Sequence, residues 1–395
     1  MFARLQSSAR FESRAFWTLL AFGGLLVLTG LLAAHHMEEH GHVVTGMNNQ
    51  VVWGLPHVFA IFMIVAASGV LNVASVGSVF GQKAYKARGP LSALMSIALL
   101  AGGLMVLLLD LGRPERVIVA ATHYNPSSVF AWNVVLYSGL FGIVGVYLWT
   151  MLERRMAPWS APAGVAAFVW RFVLTTGTGS IFGFLVARQA YQSAILAPMF
   201  IVLSLAWGLA LFLVVQLTVY LWNGREVPHE TQRRMVRLLA VFVASSLYFV
   251  AVYHGTNLYW AKQSAFERFI LVDGGDFTTL FWGGYVLFGS VVPLVLLLRP
   301  GADNATCSRS MLLASALVVF GAFALLYVFI IGAQVWPLDL FPGHVVSSSF
   351  MDGQIDRYVP SIWEAMLGVG GLGAAFVLMV LGIRVFNLLP HDPAE

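Results

Sequence analysis

Ten apolar segments, each long enough to cross a bilayer, follow one another along this chain with short polar connections between them. They cover roughly residues 16–34, 52–78, 91–110, 129–152, 162–187, 195–221, 236–256, 277–298, 311–335 and 361–386. A spanning helix needs about 20 mostly apolar residues. In hydrocarbon the backbone must satisfy its own hydrogen bonds, so such runs form helices. The sequence therefore predicts an all-α integral membrane protein that crosses the bilayer many times. Composition agrees: 59% of the 395 residues are hydrophobic and 10% are charged, where a soluble domain carries about 25% charged residues. A soluble enzyme is excluded. The net charge of +4 is what basic loops of a membrane protein produce, and no stretch tracks a nucleic-acid backbone. The longest connection is about 25 residues, so residues 1–395 are expected to form one polytopic membrane domain. A basic stretch precedes the first segment as in a signal peptide, but its apolar run exceeds the ~7–15 residues of a cleaved leader. It is expected to be retained.

Lysine and arginine set the orientation. Sixteen of the 22 fall at one set of segment ends, among them Arg4, Arg10, Arg171 and Arg225; the opposite set holds Arg113, Arg116, Arg188, Lys262, Arg268 and Arg357. The richer side is expected to be cytoplasmic and to carry both termini, as in a bacterial inner-membrane protein. Eight of the ten histidines (His35, His36, His40, His42, His57, His123, His254 and His344) then lie at or near the outer face, with most of the carboxylates, Asp339 and Asp352 included. Function is sought there.

Several polar residues at that face sit where a charge is costly unless it has a use. In NNQVVWGLPHVFAIF (48–62), helical spacing sets Asn49, Trp53 and His57 on one face, with Pro56 between them loosening the ladder. Histidine exchanges protons near neutral pH, although a lone histidine can also simply bond a neighbouring helix. In LLLDLGRPERVIVAATHYNPSSVFAWN (107–133), Asp110 ends an apolar run three residues before Arg113. The two could form a helix-ending ion pair; alternatively, a carboxylate in apolar surroundings can take a proton from a quinol-like hydroxyl. His123 and Tyr124 follow, then a turn at Asn125–Pro126, and then Trp132, Asn133 and Tyr137 along the next helix. His254, beside Tyr253, Asp276 and Glu364 are further candidates for a proton route or a partner contact; an acidic residue in a first helical turn, like Glu364, is also ordinary dipole chemistry. HHMEEHGH (35–42) has metal-ligand residue types, but no intervening fold fixes their geometry, and no metal is assigned. With one cysteine, Cys307, the chain cannot itself hold a four-cysteine iron–sulfur cluster.

WGLPHVFAIFMIVAASG (53–69), DLGRP followed by SSVFAWN (110–133), GGDFTTLFWGGYVLFGSVVPLVLL (274–297) and VPSIWEAMLGVGG (359–371) resemble, in that order, the NrfD/polysulfide-reductase membrane-subunit family. The later motifs resemble its ten-helix branch, which includes membrane subunits of hydrogenase and sulfur-metabolism complexes. The resemblance implies two four-helix bundles plus flanking helices, and a quinone pocket near the outer face of one bundle. It implies a non-covalently bound quinone, menaquinone or ubiquinone, and a periplasmic ferredoxin-like iron–sulfur subunit docked above, with further cytochrome and iron–sulfur subunits. The family pocket places an Asn, a His and a Tyr at the quinone head; here Asn49 and His57 match, and Tyr137 and Tyr124 compete.

The leading expectation is a quinol/quinone-interacting subunit with His57 and Asp110 as proton partners, and Asn49, Trp53, Arg113, Tyr124, Trp132, Asn133 and Tyr137 around the ligand. A b-type haem cytochrome would need facing histidines, for which His57 and His254 are the embedded candidates. A secondary transporter would place its charges near the midplane, where this sequence has almost none.

Overall fold

The computed structural model describes residues 13–222, 229–299, 304–338, 353–386 and 388. Arg4, Arg10, Arg225, Asp339, His344 and Asp352, assigned above to one face or the other, lie outside the described residues. Among the described residues, ten helices are long and apolar enough to cross a membrane: α1 Arg14–His40, α2 Leu55–Ser78, α3 Gly89–Leu109, α4 Val129–Leu152, α5 Arg154–Gly183, α6 Leu196–Trp222, α7 Glu230–Tyr259, α8 Asp276–Leu298, α9 Ser308–Val335 and α10 Ile362–Phe386.

Each helix overlaps one of the ten apolar segments, with ends shifted for local reasons. Helix α1 continues six residues past its apolar run, because MEEH is still helix-forming sequence. Helix α2 begins at Leu55, not residue 52: Gly54 caps it in an extended conformation and Pro56 occupies the first turn, where its missing N–H costs nothing. Asn49 and Trp53 therefore belong to an irregular segment before the helix, and the expected common helical face with His57 does not exist. Helix α10 opens with a reciprocal capping box. Glu364 Oε2 accepts from the Ser361 N–H at 2.7 Å, and Ser361 Oγ accepts from the Glu364 N–H at 3.3 Å.

Helices α2–α5 close one four-helix bundle and α6–α9 a second, and the two join along α2, α5, α6 and α9. Small residues allow the closest approach. A Cβ placed on Gly69 of α2 would lie 1.7 Å from the Ser204 carbonyl oxygen of α6, and one on Gly208 would lie 2.1 Å from the Gly69 carbonyl carbon. Helices α1 and α10 flank the bundles. They pack on each other, with α10 also against α2 and α3, and meet closely at Gly30 and Gly370. Arg171, counted above with the basic ends, lies buried within α5, its guanidinium over the rings of Phe172 at 4.2 Å and Phe168 at 5.0 Å.

Candidate functional site

The first bundle holds an apolar cavity of about 470 Å³, within the ~300–1,000 Å³ of ligand pockets. Helix α2 contributes His57 and Ile61, α3 Leu104, Leu107 and Leu108, α4 Phe130, Asn133, Val134, Tyr137 and Ser138, α5 Ile181 and Phe182, and α9 Ile330. Trp53 and Leu111 close the end nearest the loops. Leu108, Val117, Phe130 and Val134 on the rim are each more than a third exposed on the outside of the bundle. The mouth therefore opens sideways between α3 and α4, within the apolar belt.

Polar groups enter this slot at one end. Asp110, which follows the last turn of α3, is 8% exposed. Its Oδ2 lies 3.1 Å from His57 Nδ1. The two atoms are in contact but off hydrogen-bond alignment, and Asp110 Oδ1 has no donor among the described residues. With Nδ1 turned to the carboxylate, Nε2 is the His57 nitrogen left for a ligand. A second histidine reaches the same residue: His42 Nε2 is 2.9 Å from the Asp110 carbonyl oxygen and 3.8 Å from Oδ1. On the opposite wall Asn133 is buried. Its Nδ2 donates to the Val129 carbonyl at 2.8 Å, while its Oδ1 has no partner. Tyr137, also buried, completes the polar set.

Trp53 is placed by a clamp from the second bundle. Gln334, fully buried on α9, accepts the Val52 and Trp53 N–H groups at 3.0 Å through Oε1 and donates to the Trp53 carbonyl at 2.9 Å. Arg188, in the connection after α5, donates to the Gln50 carbonyl at 2.6 Å and the Gln334 carbonyl at 3.2 Å. Burial lowers the Arg188 pKa, and the adjacent Tyr191 partly opposes this. Trp53, Phe182, Tyr191, Phe200 and Phe329 then pack ring against ring across the junction of the bundles.

The structure thus brings together His57, Asp110, Trp53, Asn133 and Tyr137. It separates the others. Asn49 is exposed on the loop before α2. Arg113 is exposed and makes no ion pair among the described residues: the chain turns outward after Asp110, so the expected Asp110–Arg113 pair gives way to the two histidines. Tyr124 is half-exposed on the connection, leaving Tyr137 as the tyrosine that lines the cavity. The Trp132 ring faces outward, donating to the Pro126 carbonyl at 2.8 Å. His123 is exposed and bonds Thr122, and Asp276 is exposed at the start of α8.

His254 lies in the second bundle. Its Nδ1 is 2.6 Å from Glu267, which also accepts from Asn257 at 2.7 Å. It lines a separate void of about 20 Å³, so His254 and His57 do not form a facing pair. Glu364 is fully buried, accepting from Tyr358 at 2.5 Å and from the Gly46 N–H at 2.9 Å. The histidine-rich segment at the end of α1 is divided: His35 pairs with Glu39, His36 stacks on His40 and Trp363, and His42, just past the helix, turns inward.

His42, Gln334 and Arg188 are the site-forming residues that sequence reasoning did not assign. Gln334 and Arg188 looked like ordinary span-end residues. His42 was hidden among histidines that do something else.

Comparison with known proteins agrees with this architecture. Residues 43–337 match the family described as "Polysulphide reductase, NrfD", a stretch that takes in α2–α9 and both bundles. The chain is 29% identical over 376 residues to the Hdr-like menaquinol oxidoreductase integral membrane subunit of Archaeoglobus fulgidus, covering 94% of this chain and 93% of that one. It is 22% identical over 416 residues to the C subunit of selenate reductase from Mesobacillus selenatarsenatis, covering 95% of each. It is 23% identical over 310 residues to the protein NrfD of Escherichia coli, covering 72% of this chain and 96% of that one. With a matched segment that spans both helical bundles, the chain belongs to the polysulphide reductase NrfD family.

Proposed function

We propose that this protein is the quinone-interacting membrane subunit of a multi-subunit oxidoreductase, and that the cavity of the first bundle receives the quinone head. The observation that carries the reading is the His57–Asp110 pair at the end of an otherwise apolar slot. The residues fit such a ligand: apolar walls for the ring and tail, the free ring nitrogen of His57 at one end, and the unpartnered Oδ1 of buried Asn133 on the opposite wall. The names of the relatives, a menaquinol oxidoreductase subunit among them, support the same class.

When bound, a quinol supplies two electrons and two protons. This chain's part is to hold the head, keep water out and handle the protons. His57 takes a proton at Nε2, and Asp110 stabilises the resulting imidazolium or accepts the proton from Nδ1 in turn. Tyr137 and Asn133 orient the head from the α4 side. The electrons pass to a metal-carrying partner, an iron–sulfur subunit docked on the Asp110 face, which the lysine and arginine distribution assigns to the periplasm. Dissimilatory sulfur metabolism is the setting that the motif resemblance suggests.

The test is quinol oxidation by the assembled complex. His57→Ala and Asp110→Asn should each lower turnover by about 100-fold or more, the size of a lost acid–base group, while the complex still assembles. Assembled variants that oxidise quinol at the wild-type rate would place the reaction elsewhere.

A further inference from the structure

The carboxylate of Asp110 is almost fully buried beside His57, which lines the cavity. Asp110 has 3% of its side chain exposed and His57 has 21%, but His42 has 33%. His57 reaches Asp110 at Oδ2, and His42 reaches it at the carbonyl oxygen and towards Oδ1. Asp110 therefore contacts one histidine that lines the cavity, His57, and a second, His42, that is a third exposed.

The chain directs His42 there. Gly41, in the left-handed region at φ 78°, turns the backbone off the end of α1, a conformation that glycine adopts without penalty. The imidazole then lies over Gly112, where a Cβ would come within 3.7 Å of the ring. Among the described residues, the neighbouring titratable groups at this end are engaged elsewhere or face solvent. His35 holds Glu39, His36 and His40 stack together, and Glu364 is saturated by Tyr358, Gly46 and Ser361. Arg113, Glu115 and Arg116 point to solvent. The matched family segment begins at residue 43. His42, the helix that leads into it and the helix that braces α1 all lie outside that segment, so this third group comes from the flanking part of the chain.

We propose that His42 is the proton-exchange residue between Asp110 and the aqueous phase at this face. The inference rests on the cavity being the quinol site. Each step moves one proton and no electron. The ring with its hydrogen on Nδ1 presents a bare Nε2. A side-chain shift of about 1 Å closes the 3.8 Å gap to Asp110 Oδ1 to hydrogen-bond distance. The carboxyl group gives its proton to Nε2, the imidazolium loses its Nδ1 proton to water, and Asp110 returns to the carboxylate ready for His57. The ring, left with its hydrogen on Nε2, is reset by taking a proton from water at Nδ1 and giving the Nε2 proton to water. In the opposite tautomer Nε2–H donates to the Asp110 carbonyl oxygen, the arrangement the 2.9 Å distance describes.

His42→Gln and His42→Ala are made in the complete complex. Quinol-oxidation turnover at saturating quinol should fall about tenfold or more, with KM unchanged and a larger solvent deuterium isotope effect. Added imidazole should restore His42→Ala while leaving Asp110→Asn inactive. Quenching of Trp53 fluorescence by a quinol, taken as the difference from Trp53→Phe, reads ligand binding without turnover and should be the same in wild type and His42→Gln. Wild-type turnover and isotope effect in His42→Gln overturn the proposal. So does a loss that imidazole does not restore and that comes with a lower unfolding temperature, since His42 would then only be capping α3. Absence of Trp53 quenching in the wild type marks failure of the cavity reading itself, a separate result.

Discussion

At the scale of single residues, the loops are held by hydrogen bonds from buried polar groups. Tyr358 is the clearest. Its hydroxyl accepts the Leu55 N–H at 2.7 Å and donates to Glu364, joining the first turns of α2 and α10. Burial, and the hydrogen bond to Glu364, push the Tyr358 pKa well above the ordinary phenol range. Since the folded value is raised, the contribution is complete below about pH 10, where the unfolded phenol titrates. It falls as pH rises further, because the unfolded chain releases a proton that the fold retains. Tyr358→Phe should cost about 1–3 kcal/mol at pH 8. The gap to wild type should shrink by up to about 1.4 kcal/mol per pH unit above pH 10. Denaturant unfolding in detergent at several pH values measures both. An unchanging gap would mean that the hydroxyl is not coupled to folding. This network was half legible in the sequence: Glu364 stood out as an acid in a first helical turn, but its tyrosine partner lies in a connection with no periodicity to betray it.

Among elements, the helices were readable because hydrocarbon permits little else, whereas their ends depended on caps. Gly54-Leu55-Pro56 was a helix start in plain view. Reading through it put Asn49 on a helix that had not begun, which is why one expected member of the site is on the surface. His57 and Asp110 were legible for the opposite reason: an ionisable group in an apolar run has few bland explanations. What pairs them is the register between α2 and α3, which spacing along one chain does not reveal. That register depends in turn on close packing, and the glycines report it. Gly69→Val should abolish folded yield, since the new side chain meets the Ser204 carbonyl, a backbone atom that cannot swing away. Gly24→Val, with nothing within 4 Å of its Cβ position, should leave yield unchanged. Gly30→Val should loosen α1 from α10 without dismantling either bundle, and so reproduce the turnover defect of His42→Ala. Size-exclusion profiles and quinol oxidation distinguish the three.

The whole molecule is two bundles of comparable size with the candidate chemistry concentrated in one. The second bundle supports the first through Gln334, Arg188 and the aromatic rings at the junction, and these buttresses were the least legible part of the sequence. A glutamine at a helix end and an arginine in a loop carry no local mark of their long-range bonds. The sideways mouth between α3 and α4 has a consequence for measurement. A site entered from the bilayer responds to how much substrate each square nanometre of lipid holds, not to how much was pipetted into the cuvette. Adding empty vesicles that exchange lipid with the enzyme's membrane should therefore slow quinol oxidation at fixed total quinol. Rates plotted against quinol per lipid should fall on one curve. If they instead follow the aqueous concentration, the ligand enters from the loop side and the gap between α3 and α4 is not its door.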